Sequence, residues 1–292
     1  MNGIVRRAQL GFNSLCAFIY KWMIDLHLLS IPSLNRGDEV KLVVSLTSYG
    51  RRVSKNVVYY TIVSLLRQSY LPDRIILWLA EDEWNDNIIP PKLSSLIGKG
   101  VCIRYYKNIK SYKKLIPTLS KIPTSTIITV DDDVIYSRDT IKTLVESHAK
   151  NPNDIICMAA RLPIIINGTL LDYKIWPDSL LTSFEDGLFG KLLFPVGVGG
   201  VLYPQGSLHE DVLDEKAFME YCPKADDIWF WFCGLRNNTI KRYVKKKGKD
   251  LSFDSLYQYF HRGSALTHIN SLKHQNDVQL RNLLEAYQYK IQ

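Results

Sequence analysis

The stretch "TIITVDDDVIY" (residues 126–136) decides the fold. Its first five residues are uncharged and β-branched, which predicts a buried strand. Three consecutive aspartates, Asp131 to Asp133, follow at once. Carboxylates crowded together repel one another unless a positive group joins them. The stretch therefore predicts a core strand whose carboxyl end binds a positively charged group.

Similar apolar segments precede this strand and alternate with segments of helical spacing. The strand-like segments are "VKLVVSLTSYG" (40–50), "DRIILWLA" (73–80) and "VCIRYYK" (101–107), and the helix-like ones are "VVYYTIVSLLRQSY" (57–70) and "SYKKLIPTLSKI" (111–122), the latter bent at Pro117. Strands that are apolar throughout are typical of parallel sheets covered on both faces. We expect an α/β fold with a mostly parallel central sheet and helices on both faces, in one domain.

The second half of the chain is less regular. The segments "DIICMAARLPIII" (154–166) and "LLFPVGVGGVLYP" (192–204) resemble strands, and "DDIWFWFCGLRN" (226–237) predicts a short aromatic helix. Three glycines in the second segment, Gly197, Gly199 and Gly200, weaken a plain strand and indicate bends or a close ligand. We predict one domain over 39–240, with a regular first half at 39–136 and a less regular second half at 137–240.

Composition sets broad limits. The chain has 292 residues, of which 46% are hydrophobic, enough for a large core. The formal net charge of +8 suits anionic partners without choosing among them. Five cysteines without a CxxC pair argue against a disulfide framework or a zinc site, and a reducing cytosol is the simplest location.

The two ends of the chain are predicted to be appendages. Residues 4–31 read as an amphipathic helix, because Lys21, Asp25 and His27 interrupt the apolar run that a membrane span needs. The helix either packs on the protein's own core or anchors in a lipid interface through Leu15, Phe18 and Trp22. Residues 1–38 form this helix and a linker, and 241–292 form a basic and helical extension. The run "KRYVKKKGK" (241–249) is either a solvated loop or a contact for phosphate or lipid.

The aspartate triplet can be explained by the binding of a divalent metal ion. Open α/β sheets bind ligands outside the carboxyl ends of their strands. Mg²⁺ and Mn²⁺ prefer oxygen ligands, often one or two carboxylates together with substrate phosphates. The triplet is therefore interpreted as a metal and diphosphate site, with a polar turn as the alternative. Lys113 and Lys114 either pair with phosphates or are ordinary surface lysines.

A second acidic pair, Asp226 and Asp227, precedes the aromatic helix. The pair either caps this helix and favours its dipole or supplies a general base. In the second interpretation, Trp229 or Trp231 would stack on a sugar beside the base.

Taken in order, these segments resemble a GT-A-fold glycosyltransferase of the bacterial surface-polysaccharide kind, which builds capsule or lipopolysaccharide. The resemblance spans roughly 41–285, and the aspartate triplet serves as its DxD motif. It implies that 39–240 is the catalytic domain, with a nucleotide half at 39–136 and an acceptor half at 137–240. The segments that carry it are "VVSLTSYGRR", "SLLRQSYLPDRIILWL", "YKKLIP", "DDD", "PVGVGGVLYPQGSL", "ADDIWFW" and "INSLKHQNDVQL".

The resemblance implies a nucleotide-sugar donor, a UDP-hexose or UDP-N-acetylhexosamine, and a Mn²⁺ or Mg²⁺ cofactor. It implies a nucleotide site lined by Thr47, Ser48, Tyr49 and Arg51, with Lys113 or Lys114 at the nucleotide or its phosphates. Asp131 and Asp132 would face the ribose or donor sugar. Asp133 would be the direct metal ligand, with Asp131 beside it and His268 as an added ligand; Asn276 and Asp277 are rivals to His268.

The acidic pair matches the place where inverting members carry their catalytic base, and we expect Asp227 to act. Many relatives have Glu-Asp at this place, whereas here it is Asp226-Asp227. The shorter first side chain leaves open which carboxylate acts and whether the enzyme inverts. The expected acceptor is a growing glycan, lipid-linked, with the enzyme peripheral on the cytoplasmic face of the bacterial plasma membrane.

Two other functions fit parts of the sequence. A haloacid-dehalogenase-like phosphatase also places Asp-x-Asp after an apolar strand, here Asp131 and Asp133. A non-catalytic glycan- or membrane-binding protein would suit the amphipathic helix and the tryptophans, but it leaves the crowded carboxylates unexplained. Nucleic acid is not an expected partner, because the basic residues are scattered and no recognition motif is present.

Overall fold

A computed structural model describes residues 3–34, 37, 39–85, 88–252 and 275–290. Its strands are β1 (Leu42–Thr47), β2 (Arg74–Ala80), β3 (Val101–Tyr106), β4 (Thr126–Thr129), β5 (Val134–Ile135), β6 (Ile155–Cys157), β7 (Ala160–Arg161), β8 (Ile165–Ile166), β9 (Thr169–Leu170), β10 (Phe189–Gly190), β11 (Phe194–Pro195), β12 (Val201–Tyr203), β13 (Lys241–Tyr243) and β14 (Leu251–Ser252). Its helices are α1 (Gly3–Asp25), α2 (Gly50–Ser54), α3 (Val57–Leu66), α4 (Pro91–Ser94), α5 (Ile116–Lys121), α6 (Thr140–Lys150), α7 (Glu215–Tyr221), α8 (Asp226–Arg236) and α9 (Gln275–Ala286).

In the part of the chain that the structure describes, a central sheet has eight strands in the order β10-β13-β6-β12-β4-β1-β2-β3. Strands β4, β1, β2 and β3 are parallel, and β13 is parallel to β6. Strand β12 is antiparallel to both of its neighbours, β4 and β6, and β10 is antiparallel to β13. Four of the seven pairings are thus parallel, which confirms the α/β prediction with a mostly parallel sheet.

Helices cover both faces of this sheet, as predicted. Successive residues of a strand point to opposite faces, and on β4 Ile128 and Ile127 belong to two different apolar clusters. The first cluster includes residues of α3, α4 and α6. The second includes residues of α5, α7, α8 and α9. The chain therefore forms a single Rossmann-like layered domain.

The second half departs from the expected strands. The segment 154–166 is divided among β6, β7 and β8, and the segment 192–204 is divided between β11 and β12. Gly199 and Gly200 adopt φ values of +92° and +102°, which bend the chain between β11 and β12. Segment 111–122 is also two pieces, a 3-10 helix at Lys110–Lys114 and then α5, with Pro117 in its first turn.

The predicted end of the catalytic domain at residue 240 falls just before a strand of the central sheet. Strand β13 lies between β10 and β6, and β14 pairs with β5 in a small separate ladder. Residues 241–252 are thus part of the domain rather than an extension. At the other end, α1 packs on the domain through Ala17 and Ile24. None of the described helices has the length and apolar character that crossing a bilayer requires.

Candidate active site

The predicted residues meet at the carboxyl edge of the sheet. Strands β1 and β4 are parallel neighbours, so the turn after β1 and the aspartate triplet after β4 leave the sheet side by side. The turn after β1 contains Ser48 and runs into α2. The start of α8 approaches the same edge, because Lys114 contacts both of its aspartates.

Asp132 fixes the turn after β4 to the turn after β1. Its carboxylate accepts hydrogen bonds from Ser48 Oγ at 2.5 Å and from Arg52 Nη1 at 2.5 Å, and its carbonyl accepts one from Thr61 Oγ1 at 2.9 Å. Burial raises the pKa of Asp132, while Arg52 and Ser48 pull it down. Because both carboxylate oxygens are already used by the protein, the expected contact of Asp132 with a sugar remains only a prediction.

Arg52 also binds the third aspartate, with Nη2 2.6 Å from Asp133 Oδ2. The first aspartate is oriented differently, with Asp131 Oδ1 3.9 Å from Lys114 Nζ. The side chain of Asp131 is 35% exposed, compared with 13% for Asp133 and 5% for Asp132. Asp131 is therefore the most accessible carboxylate of the triplet.

Lys114 joins the two acidic motifs. Its buried Nζ lies 2.7 Å from Asp226 Oδ2, 3.5 Å from Asp227 Oδ1 and 3.9 Å from Asp131 Oδ1. Desolvation alone would lower the pKa of Lys114, but these three carboxylates outweigh it and raise the pKa well above its ordinary value. The ammonium group therefore stays charged at any physiological pH.

Asp227 has the electrostatics of a general base. Burial, reinforced by Asp226, raises its pKa to about 6, although Lys114 and the Gly197 N–H act in the opposite direction. The N–H of Gly197 donates to Asp227 Oδ2 at 3.1 Å, and 28% of the Asp227 side chain is exposed. The carboxylate is thus ionised at neutral pH, more basic than an ordinary aspartate, and open on one side.

The backbone beside this base leaves little room for a side chain. A Cβ at Gly197 would lie 2.9 Å from Lys114 Nζ and 3.2 Å from Asp227 Oδ1, closer than real Cβ atoms normally approach. The glycine prediction is therefore explained at this position by a close approach of charged side chains to the backbone.

The remaining predicted residues are placed as follows. Thr47 Oγ1 donates to the Trp78 carbonyl at 2.8 Å, and Tyr49 is half exposed with its ring 5.5 Å from the Arg52 guanidinium. Arg51 is exposed. Lys113 is buried and donates to Asn108 Oδ1 at 3.1 Å, and desolvation lowers its pKa. His268 lies outside the described residues.

Two expectations for this region fail or need revision. Trp229 and Trp231 are wholly buried, and their indole N–H groups donate to the carbonyls of Val212 and Leu192. The prediction that they stack on a sugar is wrong, because both rings fill the core behind α8. Arg52, which holds two of the three aspartates, was missed in favour of Arg51.

Metal binding is best judged from the donors. No three His, Cys, Asp or Glu side chains among the described residues gather around one point. Mg²⁺ and Mn²⁺ need only one or two protein carboxylates when a substrate phosphate completes the shell. Asp131 and Asp133 fit that requirement in donor type and position at the strand end. The rivals to His268 lie on α9, where Asp277 Oδ1 accepts the Tyr173 N–H at 2.6 Å.

No protein-family model matches the chain, and no curated protein matches it in sequence. Solved structures that resemble it include S. aureus TarS 1–349, at 14% identity over 84% of this chain and 70% of that one, with a TM-score of 0.49. A CMP:2-keto-3-deoxy-manno-octonic acid synthetase complexed with CTP matches at 11% identity over 77% and 98%, with a TM-score of 0.45. The inositol-1-phosphate CTP transferase from T. maritima matches at 10% identity over 86% and 98%, with a TM-score of 0.45. At these identities and TM-scores the matches assign this chain neither a family nor an activity.

Proposed function

We propose that this chain is a metal-dependent glycosyltransferase. It moves a sugar from a nucleotide-sugar, a UDP-hexose or UDP-N-acetylhexosamine, to a growing cell-surface polysaccharide or lipid-linked glycan. The observation that carries the proposal is the contact of Lys114 with Asp131 on one side and with Asp226 and Asp227 on the other. A carboxylate suited to a metal ion thus lies one side chain away from a carboxylate suited to a base.

In the transfer step Asp227 accepts the proton of the acceptor hydroxyl. The hydroxyl oxygen attacks the anomeric carbon of the donor, and the bond from that carbon to the diphosphate oxygen breaks with inversion. The N–H of Gly197 holds the Asp227 carboxylate by donating to Asp227 Oδ2. Because the pKa of Asp227 is about 6, this carboxylate is deprotonated at neutral pH. The electron pair of the broken bond leaves with the nucleoside diphosphate.

On the donor side, Asp131 and Asp133 would hold the metal. A bound Mn²⁺ or Mg²⁺ supplies the positive charge that stabilises the leaving diphosphate. Arg52 keeps the turn of the triplet in place through Asp132 and Asp133. Tyr49 and Arg51, both exposed beside this turn, are assigned to the nucleotide. We place the reaction on the inner face of the bacterial plasma membrane, where a lipid-linked acceptor is presented.

The phosphatase remains a second candidate because of one observation. Lys114 links the later acidic pair, Asp226 and Asp227, to Asp131 of the triplet. A haloacid-dehalogenase-like phosphatase also combines Asp-x-Asp with a later acidic pair. In that case Asp131 would be a nucleophile rather than a ligand. Magnesium with fluoroberyllate would then be trapped on Asp131, and the Asp131→Asn variant would lose this binding.

Calorimetric titration of UDP tests the transferase directly. UDP is titrated into the full chain with Mn²⁺, with Mg²⁺ and with EDTA, and the titrations are repeated on Asp131→Asn, Asp133→Ala and Asp227→Asn. Asp172→Asn is the matched control, since that side chain is 55% exposed. We expect metal-dependent binding in the wild type, the control and Asp227→Asn, and loss of binding in the two triplet variants.

Transfer itself is then measured with UDP-sugars. Asp227→Asn should keep UDP binding and lose sugar transfer, because only the base is removed. If UDP, GDP, CMP and dTDP all fail to bind under every metal condition, the transferase proposal is rejected. Far-ultraviolet circular dichroism of each variant ensures that lost binding is not lost folding.

A further inference from the structure

Helix α1 carries an apolar stripe that faces solvent. Its members recur at spacings of three, three, one and three residues, which places them on one side of a helix. They are between 45% and 65% exposed, and we call them the α1 stripe: Phe12, Leu15, Phe18, Ile19 and Trp22. Large apolar side chains this exposed, and this close together, mark an interaction surface.

The stripe is held at a fixed orientation by the opposite face of the helix. Ala17 and Ile24 are buried against the domain. At the end of α1, Asp25 accepts hydrogen bonds from the Tyr60 hydroxyl at 2.7 and 2.8 Å and forms an ion pair with Lys92 at 2.7 Å. The stripe is thus a defined face of the folded molecule.

A basic loop lies beside the stripe. Strand β14 packs against α1, and the preceding residues 245–249, which we call the lysine loop, expose Lys245, Lys247 and Lys249. The ammonium group of Lys249 is 5.9 Å from the centre of the Phe12 ring. The lysine loop therefore meets the stripe at Lys249, although the two are far apart in the sequence, while Lys247 forms an ion pair with Glu146 of α6.

We propose that the α1 stripe and the lysine loop together bind an anionic lipid bilayer. Aromatic and aliphatic side chains beside lysines are what an interfacial helix needs, since the apolar groups enter the acyl boundary and the ammonium groups meet the headgroups. A bilayer is favoured over a second copy of the chain because anionic headgroups complement the lysine that lies beside the stripe. The acidic residue of α1, Asp25, is already paired with Lys92 and does not oppose this contact.

This surface is joined to the candidate active site. Strand β14 pairs with β5, in register Leu251 with Ile135 and Ser252 with Val134. Val134 directly follows Asp133, so the docking surface adjoins the edge of the sheet that holds the triplet. The inference rests on the proposed function only in its choice of the inner leaflet, which would bring a lipid-linked acceptor to this edge.

Vesicle flotation of the full chain tests the surface. One set of vesicles contains phosphatidylcholine alone, and the other contains equimolar phosphatidylcholine and phosphatidylglycerol. We expect the protein to float with the anionic set and to be released by high salt. The double variant Phe18→Ser/Trp22→Ser and the double variant Lys245→Ala/Lys249→Ala should each weaken binding on the order of tenfold.

Matched control variants test whether any exposed apolar or basic side chain contributes to vesicle binding, or only those of the α1 stripe and the lysine loop. Leu181→Ser removes an apolar side chain that is 79% exposed outside α1, and Lys121→Ala/Lys150→Ala removes two exposed lysines from other elements. Both controls should float like the wild type. UDP titration on the same proteins shows whether the fold and nucleotide site are intact, so failure here is distinguishable from failure of the transferase proposal.

Three results would overturn the proposal. One is a wild type that floats with neither vesicle set. Another is equal flotation with both sets that none of the α1 or lysine variants changes. The third is a dimer in solution that dissociates in Phe18→Ser/Trp22→Ser and does not bind vesicles, which would assign the stripe to a second copy.

Discussion

At the scale of single residues, the charge of Lys114 sets the basicity of Asp227. The two groups are 3.5 Å apart, and the ammonium lowers a pKa that burial and Asp226 raise. A base must be ionised to work, and its strength grows with its pKa. Lys114 therefore keeps Asp227 ionised at neutral pH while burial keeps it more basic than an exposed aspartate.

The acid limb of the transfer rate should report this balance. Because Asp227 titrates near pH 6 and acts when deprotonated, kcat/KM should be constant above that pH and fall about tenfold per unit below it. Lys114→Met removes a charge that lowers the pKa, so its acid limb should move to higher pH. Lys113→Met is the control and should leave the limb in place. A wild-type limb near the value of an ordinary aspartate would contradict this prediction.

A single methyl group at Gly197 should disable the site. Its Cβ would lie within 3.2 Å of both Lys114 Nζ and Asp227 Oδ1, so the two charged groups would have to shift from their observed positions. We expect Gly197→Ala to lower kcat by about a hundredfold, within the range of general-base effects, with UDP affinity little changed. Gly190→Ala, which has open space around its Cβ, should retain full activity. Equal rates for the two variants would show that the close approach is unimportant.

The residue-level errors have physical causes. Arg51 and Arg52 are adjacent and chemically identical, and only the turn of α2 decides which one reaches Asp132 and Asp133. Aromatic residues beside an acidic pair are compatible both with stacking on a sugar and with packing in the hydrophobic core. Trp229 packs on Phe218 of α7 and on Tyr287. Trp231 packs on Trp176 and on Phe194 of β11. These partners are distant in sequence, so a local pattern does not reveal the burial.

At the scale of elements, one arginine joins α2 to the turn after β4. Arg52 is 26% exposed, and its two terminal nitrogens bind two neighbouring aspartates. The short helix is thereby positioned by the site rather than by its own five residues, since helices of that length are not stable alone.

Removing this link should cost stability. Arg52→Met leaves the buried carboxylate of Asp132 without its main counter-charge, and breaking such a pair costs about 3 kcal/mol. Urea denaturation in the absence of metal should show this loss. The matched control is Arg104→Met, an exposed arginine on β3, which should change the free energy of unfolding by less than about 0.5 kcal/mol. Equal stability of both variants would contradict the structural role of Arg52.

The strands that could be predicted are those with enough length to carry a pattern. Strands β1, β2 and β3 have six or seven residues. The apolar runs of β1 and β2 indicate burial on both faces, which the structure shows, whereas β3 lies at the edge of the sheet and is only partly buried. Strands β6 to β12 have two or three residues each, too few for a period. Their ends depend on backbone conformations such as the positive φ of Gly199 and Gly200, which a strand-like composition conceals.

At the scale of the whole molecule, one sheet unites the two halves that the sequence predicted. Strand β12 lies between β4 of the first half and β6 of the second, with Leu202 opposite Ile128 and Ile156. Leu202 has no exposed surface. The halves share a core layer and have no independent boundary.

Unfolding should therefore be a single transition. Calorimetric and van't Hoff enthalpies should agree, and Leu202→Ala should lower the free energy of unfolding by about 3 kcal/mol as one shifted transition. Leu181→Ala, at a side chain that is 79% exposed, is the control. Two separate transitions, of which only one responds to Leu202→Ala, would contradict the prediction.

The late arrival of β12 has a consequence for synthesis. During synthesis β4 is complete at residue 129, but its second neighbour, β12, is synthesised only at 201–203. Until then, one edge of β4 has no pairing strand. Open, apolar edges recruit strands from other chains. The three aspartates that follow Val130 place negative charge just past the end of this strand, as gatekeeper residues do. We therefore expect the carboxylates proposed to hold the metal to hinder aggregation of the nascent chain as well.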